Sequence, residues 1–229
     1  MSVTADTLLD AALIHVPFDG WSDAALRAAS RDCGVDVTVA RALFPRGGVD
    51  LALAFHKRGD AQMKARLATE DLTLLRYRDR VARAVRVRLE VAEDRELVRR
   101  GTTLFSLPIY AADGVRAIWG TVDAIWTALG DTSRDGNWYT KRATLAGVYS
   151  ATVLFWLGDD SEGQQATWDF LDRRIDNVMA VEKMKAAARE NPLTRPFAQL
   201  QTAILERIKA PQCARNDLPG HVRPKPEQG

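Results

Sequence analysis

The stretch that most constrains the fold is residues 138–157, WYTKRATLAGVYSATVLFWL. It has helical spacing, and Leu145, Val148, Tyr149, Thr152, Leu154 and Phe155 together cover nearly every face of the helix it would form. A helix apolar on most sides is one that other helices surround, so this stretch predicts a central helix in a bundle. Turn-forming Asp, Thr, Ser, Gly and Asn fill residues 131–137 before it, and Gly158, Asp159 and Asp160 stop it. Trp138 and Tyr139 open the helix next to Lys141 and Arg142. Two large rings there are either a packing cap or a partner surface, since Trp, Tyr and Arg are the usual anchors of interfaces.

The rest of the chain supports an all-α reading, because strand signals are scarce among 229 residues rich in Ala, Leu, Arg and Glu. Residues 4–16 predict a first helix capped by Thr4 or Asp6 and broken at Pro17. Ser22 caps a second helix that Gly34 ends, Asp36 caps a short third helix that Pro45 terminates, and a fourth starts near Val49. Two short helices joined by the tight turn at residues 33–36 resemble a helix-turn-helix. With the break at Phe44 and Pro45 they look like the TetR family of repressors. Charge argues against DNA as the partner. Residues 1–50 hold four arginines and seven aspartates, a net −3, and residues 36–44 offer only Arg41 for base contact.

Residues 71–92 predict a long helix with Leu74, Tyr77, Val81, Val85, Leu89 and Ala92 on a core face. Its six arginines, from Arg76 to Arg88, are either a solvated face paired with carboxylates or a contact for lipid headgroups or a partner. A helix interrupted near Gly101 carries Leu104 and Phe105. The next runs to Leu129 with Val115, Ile118, Trp119, Val122, Ile125, Trp126 and Leu129 apolar. Residues 162–188 add Trp168, Leu171, Ile175, Val178 and Met179. These helices bring Trp119, Trp126, Trp156 and Trp168 to interior faces, either as an ordinary core or as the wall of an apolar ligand pocket. Past Asn191, Pro192 and Pro196, an amphipathic stretch gathers Leu193, Phe197, Leu200, Ile204, Leu205 and Ile208 on one side. Such a helix packs on its own domain or lies in a membrane interface. The Pro-rich tail from Pro211 reads as disordered. The expected organisation is residues 1–70 as a helix-turn-helix-like module, 71–190 as a helical ligand domain, and 191–229 as amphipathic helix and tail.

A net charge of +2 gives no global attraction to nucleic acid or anionic membrane. Cys33 and Cys213 read as reduced thiols of an intracellular protein, with no secretory signal expected and no apolar run long enough to span a bilayer. Three histidines without a Glu-x-x-His or His-x-x-x-His pair leave a zinc or di-iron site without ligands. Residues 131–136 mimic the start of a calcium loop, but the twelfth position is Arg142 where a glutamate is needed. No catalytic constellation is legible, and a non-enzymatic role without metal or cofactor is expected.

The segment DTSRDGNWYTKRATLAGVYSATVLFWLGDDSEGQQATWDFLDRRID, residues 131–176, resembles the core of a ubiquinone-biosynthesis accessory family, the ninth coenzyme Q factor. The N-terminal LLDAAL, VPFDGWSDAALRAAS and LFPRGGVDLALAFH are similar to its bacterial members. The resemblance spans roughly residues 8–188. It implies a TetR-like helical fold, a homodimer, a bound isoprenoid lipid or phospholipid, and assistance to demethoxyubiquinone hydroxylase. It also implies peripheral attachment to the cytoplasmic side of the inner membrane. On that reading Leu104, Phe105, Ile118, Trp119, Val122, Trp126, Val148, Trp156, Trp168, Leu171 and Ile175 line the lipid site. Asn137, Trp138, Tyr139 and Arg142 meet the hydroxylase, with Lys141 where arginine is common in relatives, and Phe197, Leu200, Ile204, Leu205 and Ile208 meet the membrane. The alternative is a ligand-responsive TetR-type repressor.

Overall fold

In the computed structural model, described over residues 3–92, 94–133 and 136–190 and with side chains at 3–92, 94–133 and 138–180, every regular element is helical. The order is α1 (Ala5–Asp19), α2 (Asp23–Asp32), α3 (Val37–Leu43), α4 (Gly48–Ala68), α5 (Tyr77–Glu90), α6 (Arg95–Ser106), α7 (Ala111–Ala128) and α8 (Gly136–Leu157). A 3-10 turn (Glu162–Gln164) and α9 (Gln165–Glu190) follow.

The capping residues act as the sequence predicts. The Thr4 hydroxyl accepts from the Thr7 amide at 3.2 Å, Ser22 from Ala24 at 3.2 Å, and the Asp36 carboxylate from Thr38 at 2.7 Å. Pro17 does not break the first helix. α1 runs two residues past it to Asp19, and Gly20 ends it at φ +67.

Two apolar clusters form. One joins α1, α2, α3, the first half of α4 and α6 around Leu8, Leu9, Val16, Trp21, Leu26, Phe44, Leu51 and Leu97. The other joins the second half of α4 with α5, α7, α8 and α9 around Met63, Val85, Ile125, Trp126, Tyr149, Trp156 and Trp168. Helix α4, 21 residues long and so roughly 32 Å, takes part in both. Close approach at its start is possible because residue 48 is glycine; a Cβ there would sit 2.3 Å from the Trp21 carbonyl oxygen. Trp21 in turn donates its indole N–H to the Leu97 carbonyl at 3.0 Å, tying the N-terminal helices to α6.

Several expected faces come out differently. Helix α5 begins at Tyr77, not at residue 71, because the Asp71 carboxylate accepts from both the amide and the hydroxyl of Thr73 and holds a turn there. Leu74 is consequently 91% exposed and Tyr77 half exposed. Helix α6 passes Gly101 without interruption, and α7 starts at Ala111 with Val115 turned to solvent. Helix α8 is not enclosed on all sides. Leu145, Val148, Tyr149, Thr152 and Trp156 are buried, while Leu154 is 62% exposed and Phe155 stacks on Phe170 at 4.5 Å near the surface.

Candidate functional site

Val122, Trp126, Val148, Trp156, Trp168, Leu171 and Ile175 are all buried in the second cluster, and Ile118 packs against it. Leu104 and Phe105 pack in the first cluster instead. Helix α6 packs on α1 and α7, and Phe105 lies over Gly114 of α7, where a Cβ would come within 2.8 Å of it. Trp119 is half buried and faces α8.

The indole nitrogens of the cluster are treated unequally. Trp156 Nε1 donates to Gln164 Oε1 at 2.7 Å, and Trp168 Nε1 donates to the Gly163 carbonyl at 2.9 Å. Arg95 lies over the first ring and Arg86 over the second, 5.0 and 4.5 Å from their centroids. Trp126 Nε1 is buried and meets no acceptor among the described residues. Its ring is stacked by Tyr77 at 5.9 Å and approached by the Lys141 ammonium at 5.7 Å.

At the start of α8, Trp138 and Tyr139 meet edge to face at 4.7 Å, and both contact Trp119, at 6.0 and 6.4 Å. The three rings form a half-buried surface cluster. Arg142, expected at the partner surface, lies beneath it at 3% exposure. Its guanidinium donates to Asp123 at 2.7 Å, to Asp131 at 3.3 Å and to the Trp138 carbonyl at 3.3 Å. Carboxylates on α7 and in the following loop attract it inward, so its task is to fix Trp138, not to face a partner. Lys141 donates to Asp131 at 2.8 Å and to Ser133 at 2.7 Å. Burial alone would raise the Asp131 carboxyl, but hydrogen bonds from Lys141, Ser133 and Arg142 hold it below the ordinary carboxylate range. The Asn137 side chain and Phe197, Leu200, Ile204, Leu205 and Ile208 lie outside the described residues.

A polar cluster between α4, α5 and α7 was not legible as a site. His56 Nε2 lies 2.7 Å from Thr121 Oγ1 and 3.2 Å from the Ala117 carbonyl, which accepts from it. Thr121 donates to Asp60 at 2.8 Å, and the buried Arg88 donates to Asp60 at 2.7 Å and to the His56 carbonyl at 3.1 Å. Burial first, and the nearby Arg88 charge second, push His56 down to about 4, so it is neutral at pH 7. Above it opens a groove of about 460 Å³ lined by Arg46, Leu53, His56, Lys57, Asp60, Asp113, Arg116, Ala117 and Gly120. The only sequence trace of this cluster is the i,i+4 pairing of His56 and Asp60 on α4.

A helix-turn-helix-like start followed by helices packed around large buried rings defines an all-α, TetR-like protein. The fold is similar to a TetR transcriptional regulator from Nitrosomonas europaea, with a TM-score of 0.60, 21% identity, and coverage of 75% of this chain and 95% of that one. Residues 111–182, which include α7, α8 and most of α9, match the COQ9 family. Over 187 residues the chain is 33% identical to the mitochondrial ubiquinone biosynthesis protein COQ9 of Drosophila melanogaster, covering 77% of this chain and 56% of that protein. The Rattus norvegicus and Homo sapiens proteins of the same name are 33% and 29% identical, each over 75% of this chain and 57% and 56% of their own length. Over most of its length the chain is similar to the COQ9 proteins. It spans a little over half the length of these curated relatives.

Proposed function

We propose that this chain is a non-catalytic accessory protein of ubiquinone biosynthesis that binds an isoprenoid quinone intermediate and presents it to demethoxyubiquinone hydroxylase at a membrane surface. The observation that carries the reading is the coincidence of two things. The family match falls on residues 111–182, and the same residues supply Trp126, Trp156 and Trp168 to one buried apolar cluster. A long isoprenoid is insoluble in water, and an apolar site in a protein at the membrane lowers the cost of lifting its head group from the bilayer. The surface cluster of Trp119, Trp138 and Tyr139, set on a rigid Arg142 and Asp131 base, suits a partner that buries aromatic anchors. Among the described residues no helix is long and apolar enough to cross a membrane, so attachment in this reading is peripheral. The repressor reading has the fold likeness behind it. Against it stand the acidic N-terminal module and Arg41, the one arginine of α3, which is paired with Asp23 at 2.6 Å.

The reading is tested by adding purified chain to the hydroxylase and demethoxyubiquinone in vesicles. Faster hydroxylation with a physical complex supports it, and an unchanged rate with no complex overturns it.

A further inference from the structure

Of the three tryptophans in the second cluster, Trp126 alone is left without an indole acceptor among the described residues. A buried N–H without a partner costs on the order of 1–3 kcal/mol, so chains seldom keep one without a use for it. Arg78, whose Nε and Nη2 are also buried without hydrogen bonds, has a different explanation, because Asp176 lies 2.9 Å from its Nη2 and neutralises it. Among the described residues no carboxylate or carbonyl accepts from the Trp126 N–H. The residues around it mark a way in. Tyr77, half exposed at the first turn of α5, covers the Trp126 ring, and Lys141 stands beside it. Just before Tyr77 the chain holds Leu74 out in water on a loop that is internally tied. Arg80 donates to the Thr73 and Leu75 carbonyls at 3.0 and 2.9 Å, which fixes the loop's shape.

We propose that the Trp126 indole N–H is the hydrogen-bond donor that reads an oxygen on an otherwise apolar ligand, entering at the Leu74–Tyr77 end of the bundle with Tyr77 as its cover. The ligand class is an amphiphile whose acceptor oxygen is set against hydrocarbon. A ring carbonyl of a prenylated benzoquinone and an ester carbonyl of a glycerolipid both meet that description. The inference rests on the lipid-binding reading above and assigns it one polar contact.

Replacing Trp126 by β-(3-benzothienyl)alanine keeps the shape and removes only the N–H, and Trp126→Phe serves as a second, genetically simple variant. Both are compared with the full chain for melting without ligand and for affinity toward two probes, a decyl-substituted benzoquinone and dioleoylphosphatidylcholine. The isostere should melt no lower than the wild type and bind its probe on the order of tenfold more weakly, the size of one neutral hydrogen bond. Loss confined to the quinone or to the phospholipid tells which oxygen is read. A wild type that binds neither probe overturns the lipid reading and this inference with it. A wild type that binds, with both variants binding equally well, overturns this inference alone, as does an isostere that melts lower yet binds unchanged, which would mark the N–H as a structural donor.

Discussion

The guanidinium carbon of Arg142 sits 3.9 Å from the centroid of the Trp138 ring, with the carboxylates of Asp123 and Asp131 on its Nε and Nη1. One buried cation thus joins α7, the 131–133 loop and α8, and the half-buried aromatic cluster rests on it. Arg142→Met leaves the buried Asp131 with the Lys141 ammonium and the Ser133 hydroxyl, and it is expected to cost about 3 kcal/mol, the usual result of removing one member of a buried pair. Urea unfolding measures this. A cost below about 0.5 kcal/mol would mean that Arg142 holds nothing in place.

Gly59 faces the same kind of constraint on α4. A Cβ there would lie 2.7 Å from Arg88 Nη1 and 2.8 Å from its Cζ, and Arg88 is buried and tied to Asp60. Gly59→Ala should therefore destabilise by about 1–3 kcal/mol despite the better helix propensity of alanine. Gly120→Ala on α7 meets no atom within 4 Å and should instead stabilise by up to about 1 kcal/mol. Opposite signs in the two melting temperatures are the expected outcome, and equal signs would contradict the packing described.

His56 gives the stability curve an acid limb. Its folded value of about 4 lies below the ordinary 6.5, so the unfolded chain takes up a proton first as pH falls. Its contribution is complete above pH 6.5 and is lost between there and pH 4, a change of about 3 kcal/mol at 1.36 kcal/mol per pH unit. His56→Gln should flatten that limb. Identical pH profiles for variant and wild type would place the acid sensitivity elsewhere.

DNA should be bound weakly and without sequence preference. Four arginines cannot offset seven aspartates in residues 1–50, and phosphate neutralisation supplies much of such affinity. A gel shift with one promoter at physiological salt is expected to show no discrete complex.

Much of the fold was legible because its signals are local. Ser22, Asp36 and Thr4 announce their helices through side chains that can reach amides two or three residues on. Leu74 shows the limit of periodicity. It keeps helical register with Val81, yet the bond from Thr73 to Asp71 ends the pattern before Tyr77. Leu104 and Phe105 show a second limit, since an apolar helix face states that something covers it and not which neighbour does. The pairing of Arg142 with Asp123 and of Arg88 with Asp60 joins residues 19 and 28 apart, and only the packed bundle brings them together. The orphaned Trp126 N–H is likewise invisible in sequence, because three tryptophans on core faces look alike until their acceptors are seen.

The central claim is that the chain carries an isoprenoid quinone intermediate. Purifying it without detergent, extracting it with organic solvent and identifying the extract by mass spectrometry tests this most directly. The account predicts a prenylated ring compound of the ubiquinone pathway in near-stoichiometric amount. An extract without prenylated compounds, from a protein that also takes up no demethoxyubiquinone from vesicles, would contradict it.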